Sequence, residues 1–199
     1  SLYRLPWQRI MEDDSTVLEW SEAMVAHGVA AIEGVPNEHG EVERLATRLA
    51  HVRETAYDRL HEVLSAPDAY NVASTAVELK PHTDMPNYAL PPGVQLLHFM
   101  ENGATGGETT LVDGFAVAAQ LAQDCPSHFE RLCNTPVSFR MKSCKADIIG
   151  CSRLVTLGPD GDLRLIRFSN QLMQPLQLPI DTVQAFYEAY QAYSQAMVS

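Results

Sequence analysis

The sequence has few basic residues and no long apolar run, and each shortage narrows the range of functions. Its 14 lysines and arginines stand against 25 aspartates and glutamates, which gives a formal net charge of −11. Nucleic-acid binding is therefore disfavoured, because phosphate backbones are bound by basic surfaces. No stretch reaches the roughly 18 apolar residues that cross a membrane. We accordingly expect neither a membrane-spanning helix nor, given the charged residues near position 1, a secretory signal.

The sequence also has no cysteines spaced as they are in zinc sites or redox motifs. The four cysteines are separated by 8, 11 and 7 positions and form no C-x2-C pair. We interpret them as reduced thiols of a cytoplasmic protein. Spacing alone leaves a disulfide open, although that compartment disfavours one. They are Cys125, Cys133, Cys144 and Cys151.

Apolar spacing predicts helices towards both ends of the chain and β-structure in its middle. Helix-capping side chains at 13–15 precede a helical pattern that stops at Gly28, and further helices are predicted at 42–52, 115–123, 127–133 and from 183 onwards. Predicted strands are 29–32, 94–100 as the clearest, and a hairpin of 153–157 with 163–168. Because no internal repeat or linker interrupts this pattern, we predict one α+β domain over residues 1–199.

A histidine followed two places later by an acid is the most obvious candidate metal site. Composition alone predicts about one such pair, yet the sequence contains three. They are His39–Glu41, His82–Asp84 and His128–Glu130. The pattern decides nothing by itself, and local geometry must choose among the three.

Only His82 and Asp84 are expected to project from the same side of the backbone. His128 and Glu130 fall in a predicted helix, where the side chains at positions i and i+2 point in different directions. Glu41 begins another predicted helix, where an acid is favourable at the positive N-terminal end. Pro81 favours an extended backbone in this segment, and in an extended backbone the side chains of residues two positions apart, such as His82 and Asp84, lie on the same face. An imidazole with a carboxylate suits an Fe(II) site of the 2-His-1-carboxylate kind. The alternative is a simple hydrogen bond between His82 and Asp84 at a strand end.

Several further motifs surround this pair. They are Asn71-Val72-Ala73-Ser74, His82-Thr83-Asp84, the run 91–98, Gly106-Gly107-Glu108-Thr109-Thr110 continuing to Phe115, and Arg167-Phe168-Ser169-Asn170. In this order and spacing the chain resembles, over nearly its whole length, the gamma-butyrobetaine hydroxylase / trimethyllysine hydroxylase family of Fe(II)- and 2-oxoglutarate-dependent oxygenases, relatives of taurine dioxygenase.

The resemblance implies a double-stranded β-helix, or jelly roll, with flanking helices and iron at one open end. It implies that His82 and Asp84 are iron ligands and that Thr109 helps to hold 2-oxoglutarate. It further implies a dioxygenase that uses O2 to hydroxylate a small polar metabolite of the betaine or amino-acid type. The alternative for Thr109 is an ordinary strand threonine after a glycine turn.

Five positions match residues that line the substrate pocket of this family. In the family an aromatic cage binds a quaternary ammonium group, an attraction worth about 1–2 kcal/mol when desolvated. Here one cage position keeps a tyrosine, one is a histidine and one a serine, so trimethylammonium recognition is weakened, whereas the two asparagines suit a carboxylate. Ordinary partial burial is the alternative for the tyrosine and the histidine. The five are Tyr57, His61 and Ser74 at the cage, with Asn71 and Asn170.

The family's third iron ligand and its 2-oxoglutarate-binding arginine are expected beyond Ser199. His98 lies only fourteen residues after Asp84, too early for the family's distal histidine, and we interpret it as a core histidine or one that supports the ligands. A jelly roll that is incomplete at its C-terminus is therefore expected. We expect a longer protein, in keeping with the missing initiator methionine; the alternative is a truncated, inactive relative.

These inferences predict a cytoplasmic enzyme that requires Fe(II) and 2-oxoglutarate. Its partners would be a small-molecule substrate and O2, with neither nucleic acid nor membrane. One alternative is a non-catalytic jelly-roll binding protein derived from this family, and another is a cupin-like enzyme with a different metal, in which His98 or His61 is a ligand. The aromatic last helix suits a homodimer interface as well as the core.

Overall fold

The computed structural model describes residues 2–64, 78–101, 103, 105–143 and 145–198, and these form a mixture of helices and short strands. The helices of these ranges are α1 (Trp7–Glu12), α2 (Asp14–His27), α3 (Glu41–Leu49), α4 (Gly114–Asp124), α5 (Pro126–Asn134) and α6 (Ile180–Ala196). The strands are β1 (Tyr3–Pro6), β2 (Ala30–Glu33), β3 (Val137–Lys142), β4 (Asp147–Ser152), β5 (Val155–Leu157) and β6 (Leu163–Ile166). This is the α+β composition that the sequence predicts.

Strands of the described residues pair into three two-stranded sheets. β1 and β2 run parallel, with Tyr3 opposite Ala30. β3 pairs with β4, and β5 with β6, both antiparallel. The β5–β6 hairpin and β2 confirm the predicted strands at those positions, whereas β1, β3 and β4 are additions that the sequence pattern did not predict.

Local signals account for the helix boundaries. The Asp13 carboxylate accepts a 2.9 Å hydrogen bond from the main-chain N–H of Ser15, and Gly28 ends α2 with φ of 71°, a conformation that glycine adopts without strain. The Asp113 carboxylate caps α4 in the same way. The structure contains all five predicted helices, as α2 to α6. None of the helices in the described part is long and apolar enough to cross a bilayer.

The described residues form two compact units, each with its own apolar core. The described residues within Ser1–Glu62 and Gly93–Gly106 form one unit, and those within Val63–Pro92 and Gly107–Ser199 form the other. The core of the first unit buries Leu5, Trp7, Ile10, Trp20 and Leu45. The core of the second is centred on α4, α5, α6 and the strands beside them, and includes Ala118, Leu132, Phe139, Leu154, Phe168, Phe186 and Tyr193. A single domain over residues 1–199 stays a prediction.

The segment 94–100 is not the strand that its pattern predicts. None of the described residues between 78 and 113 belongs to a helix or strand. The side chains still alternate, since Leu97 and Phe99 are exposed while Leu96 and His98 are partly buried. The prediction was wrong because a period of two reports which face of an extended backbone is covered, whereas a strand also needs a hydrogen-bonded neighbour.

Candidate functional site

His82 and Asp84 lie side by side within residues 78–101, none of which belongs to a helix or strand, as the extended geometry predicted around Pro81 implies. Nε2 of His82 is 3.5 Å from Oδ1 of Asp84. Both side chains reach solvent, with exposed fractions of 30% for His82 and 48% for Asp84. The pair is therefore accessible to an ion, and its two donor atoms are near enough to share one.

The ring of His82 is held in the orientation that a metal-binding histidine needs. Nδ1 lies 2.8 Å from the main-chain oxygen of Lys80, so Nδ1–H donates to that carbonyl and Nε2 faces the Asp84 carboxylate. Histidine ligands in metal sites are commonly fixed in this way through their second nitrogen. The hydrogen bond with Asp84 raises the pKa of His82, burial opposes the shift, and the Lys80 carbonyl adds to it. The donor set of one imidazole nitrogen and one carboxylate fits Fe(II), which prefers such ligands.

The residue between them, Thr83, is bonded to a distant part of the chain. Its main-chain N–H donates to the oxygen of Phe168 at 2.7 Å, and its hydroxyl accepts from the N–H of Phe168 at 2.9 Å. The same hydroxyl lies 3.3 Å from the Phe168 oxygen. Phe168 is buried and stacks on Tyr190 with ring centroids 4.7 Å apart. The His82–Asp84 pair is thereby attached to the core of its unit.

The residues that follow Asp84 are also fixed against this unit. Arg167 is 5% exposed, and its Nη2 donates to the main-chain oxygen of Ala89 at 2.9 Å. Burial lowers the pKa of this guanidinium. Asn87 is 4% exposed, and its Nδ2 donates to the oxygen of Ile148 in β4 at 3.5 Å. The loop after the candidate ligands therefore has main-chain and side-chain contacts on the strands β4 and β6 or just beyond them.

Asn170, a predicted substrate residue, follows Phe168 by two positions in this same unit. Its side-chain oxygen accepts a hydrogen bond from the hydroxyl of Tyr190 in α6. Tyr190 is largely buried, and burial raises the pKa of its phenol, so this hydroxyl stays protonated as a donor. Asn170 itself is exposed.

The predicted 2-oxoglutarate residue and the remaining predicted substrate residues lie in different parts of the chain. Thr109 is exposed in the irregular segment that precedes α4. Tyr57 and His61 contact each other in the other unit, with ring centroids 5.2 Å apart and planes tilted by 60°. Asn71 and Ser74 lie outside the described residues.

The two competing histidine–acid pairs have the structures that the sequence argument predicts. Glu41 begins α3, and its carboxylate pairs with Arg44, while the ring of His39 pairs with Glu62 at 2.9 Å. His128 lies within α5. Within the described ranges, no three His, Cys, Asp or Glu side chains are grouped so as to hold one ion.

Sequence reasoning missed three residues that support the site: Thr83, Phe168 and Tyr190. The position of Thr83 carried a signal, because a residue between two same-facing neighbours in extended backbone points to the opposite side. Its partner, 85 positions away, leaves no local pattern from which it could be found.

Comparison with known proteins identifies relatives of this chain. A sequence profile of the "Taurine catabolism dioxygenase TauD, TfdA family" matches residues 4–198. The gamma-butyrobetaine dioxygenase of Pseudomonas sp. (strain AK-1) is 40% identical over 186 residues, which cover 94% of this chain and 49% of that protein. The human gamma-butyrobetaine dioxygenase is 31% identical over 98% of this chain and 51% of its own length. Human mitochondrial trimethyllysine dioxygenase is 31% identical over 92% and 45% respectively.

These relatives confirm the resemblance that the motifs indicate. The chain spans about half the length of the curated relatives that it matches. The match to the family profile extends over nearly every position, including the His82–Asp84 segment and the Phe168–Asn170 segment. The chain therefore belongs to the taurine catabolism dioxygenase TauD, TfdA family.

Proposed function

We propose that the protein to which this chain belongs is an Fe(II)- and 2-oxoglutarate-dependent dioxygenase that hydroxylates a small polar metabolite of the betaine or amino-acid type. The observation that carries the proposal is the His82–Asp84 pair, with Nε2 and Oδ1 3.5 Å apart and Nδ1 bonded to Lys80. Family membership and relatives named as gamma-butyrobetaine and trimethyllysine dioxygenases support it.

In this proposal the chain supplies two protein ligands and part of the substrate site. His82 binds iron through Nε2 and Asp84 through its carboxylate. Thr109 provides a hydroxyl for 2-oxoglutarate. When bound, iron and 2-oxoglutarate supply the oxidising power that inserts an oxygen atom from O2 into a C–H bond. The protein's own task is to hold one C–H bond of the substrate in the correct place and to exclude others.

The substrate residues favour a molecule with an anionic end. Because Tyr190 occupies the side-chain oxygen of Asn170, the NH2 group of Asn170 remains to donate to a carboxylate, and we assign Asn71 to the same end. Tyr57 and His61 offer one phenol and one imidazole to a cationic end. With Ser74 in place of a third ring, the attraction for a trimethylammonium group is weaker than in a full aromatic cage.

We further propose that the full-length protein is a jelly roll and that residues 1–199 belong to one catalytic domain. The third iron ligand and the arginine for 2-oxoglutarate would then come from the half of the protein that the relatives have in addition. Cytoplasmic location and a homodimer remain predictions from the sequence.

Anaerobic titration of the full-length protein tests the metal assignment. Addition of Fe(II) and then 2-oxoglutarate is expected to produce the weak visible charge-transfer band of the iron chelate. His82→Ala and Asp84→Ala should abolish the band, and His98→Ala serves as the matched histidine control that keeps it. The proposal fails if Asp84→Ala behaves like the wild type. Loss of the band in His98→Ala alone would instead favour the cupin-like alternative.

Succinate release tests the substrate class. The full-length protein is incubated with Fe(II), 2-oxoglutarate and O2 together with zwitterions that differ only in methylation of the amine. A matched amine that lacks the carboxylate completes the panel. We expect turnover with the zwitterions but not with this amine, and little preference for the trimethylated member. A protein that shows the band yet releases no succinate with any member would be a non-catalytic binding protein, contrary to the proposal.

A further inference from the structure

We propose that Thr83 is a positioning residue for the metal pair, and this inference rests on the proposed function. The side chain of Thr83 lies between those of His82 and Asp84 in sequence and is expected to point to the opposite side of the extended backbone. It therefore does not compete for the ion. Its role is to fix the backbone from which both candidate ligands project.

Thr83 is attached to Phe168 through both its main chain and its side chain. The N–H of Thr83 donates to the Phe168 oxygen at 2.7 Å. In the return direction the N–H of Phe168 donates to the hydroxyl of Thr83 at 2.9 Å. In a pair of main-chain hydrogen bonds, the N–H of Phe168 would donate to a carbonyl oxygen. Here the hydroxyl of Thr83 takes the place of that carbonyl. Two bonds on one residue fix both position and rotation, which one bond cannot do.

The other end of this attachment is itself rigid. Phe168 is 2% exposed and packs its ring against Tyr190 at 4.7 Å and Tyr193 at 5.5 Å. Both tyrosines lie on α6, the longest helix of the described part. Because side chains in a close-packed core have little freedom, these contacts make Phe168 a firm attachment point for Thr83.

Substitution can remove the Thr83 hydroxyl while the shape of the side chain is kept. Thr83→Val keeps the branched shape and the main-chain bond but leaves the N–H of Phe168 without its acceptor. Thr83→Ser keeps the hydroxyl and loses only a methyl group. The two variants therefore separate the hydrogen bond from the packing at one position.

Binding of Mn2+ to the apo full-length protein provides a readout that does not depend on turnover. The electron paramagnetic resonance signal of free Mn2+ falls as the ion binds, which gives a dissociation constant for each variant. Loss of a residue that orients metal ligands typically weakens binding by about 10- to 100-fold, and we expect Thr83→Val within that range. Thr83→Ser keeps the hydroxyl and should bind Mn2+ with close to wild-type affinity, outside that range.

Thr16→Val is the matched control, because it removes a buried threonine hydroxyl that lies 3.2 Å from Asp13 in the other unit. We expect it to lower the melting temperature but to leave Mn2+ affinity unchanged. Should Thr83→Val fail to fold, Thr83→Ala, which also keeps the main-chain bond, is titrated in its place. Wild-type Mn2+ affinity in Thr83→Val or Thr83→Ala overturns the inference, provided that His82→Ala has lost the ion. If His82→Ala retains it, the proposed function itself has failed.

Discussion

The α-carbon of Gly150 in β4 faces the main-chain oxygen of Asn87 so closely that a β-carbon added to Gly150 would lie 2.2 Å from that oxygen. Asn87 is three residues beyond Asp84 and is itself buried. The nearest atoms of Asn87 belong to its main chain. They cannot move aside as a flexible side chain could. A residue without a β-carbon is therefore required where the loop that follows Asp84 crosses β4.

Gly150→Ala is expected to destabilise the protein by about 1–3 kcal/mol, the usual cost of forcing extra atoms into a packed site. Denaturant unfolding measures the loss. Gly93→Ala is the control, because nothing lies within 4 Å of its added β-carbon and its stability should stay close to the wild type. Equal stability of the two variants would contradict the close approach of the loop to β4.

Asp113→Ala should cost about 1 kcal/mol, a typical value for an N-cap. The Asp113 carboxylate accepts hydrogen bonds of 3.0 Å from the N–H groups of both Phe115 and Ala116 at the start of α4. Asp113→Asn keeps an acceptor oxygen and should recover most of the stability. Thermal unfolding of the three proteins compares them directly, and an asparagine variant as unstable as the alanine variant would argue against capping.

Tyr193 should make the protein sensitive to alkali. Burial, with a contribution from the charge of Asp113, raises the pKa of this phenol from 10.0 to about 12. Because the unfolded chain loses the proton first, the stabilisation is complete below about pH 10 and is lost as the pH rises through 12. At about 1.4 kcal/mol per pKa unit the loss amounts to about 2 kcal/mol by pH 12.

Denaturant unfolding at a series of pH values from about 8 to about 12 tests this expectation, because this range brackets an ordinary tyrosine pKa. Tyr193→Phe is less stable at the lower limit, since it loses the 2.9 Å bond from the hydroxyl to the Gly114 oxygen, but it should lose less stability on going to high pH. Parallel curves for wild type and variant would mean that Tyr193 titrates normally.

Tyr190 and Asn170 should show a measurable energetic coupling. Their side chains share a hydrogen bond, and a double-mutant cycle of Tyr190→Phe with Asn170→Ala is expected to give about 0.5–1.5 kcal/mol. Under the proposed function, Tyr190→Phe also raises KM for a carboxylate-bearing substrate more than it lowers kcat, because the Asn170 amide becomes free to rotate. Additive effects in the cycle would show that the bond contributes nothing.

Helices were well predicted because their signals are local. Asp13 and Gly28 mark the ends of α2 within the sequence itself. The strand predicted at 94–100 failed because pairing depends on a neighbour that the pattern cannot name. The hairpin of β3 and β4 was missed even though Val137, Phe139 and Met141 alternate as buried residues.

In the candidate site, too, the local features could be predicted from the sequence and the distant contacts could not. His82 and Asp84 are two positions apart, so backbone geometry alone was enough to predict that they lie together, as their 3.5 Å approach shows. The role of the pair as iron ligands stays a prediction. The contacts that hold it in place come from Phe168 and, beyond Asp84, from Arg167, and such distant partners are set by tertiary packing rather than by any short motif.

The Thr83–Phe168 attachment also bears on how the protein is made. It joins residues 85 positions apart, and closing so long a loop costs entropy that must be spent before the contact can form. On a ribosome, His82 and Asp84 emerge well before Phe168. The growing chain therefore exposes both candidate ligands before the Thr83–Phe168 contact can form. Under the proposed function, tight metal binding would follow the synthesis of Phe168.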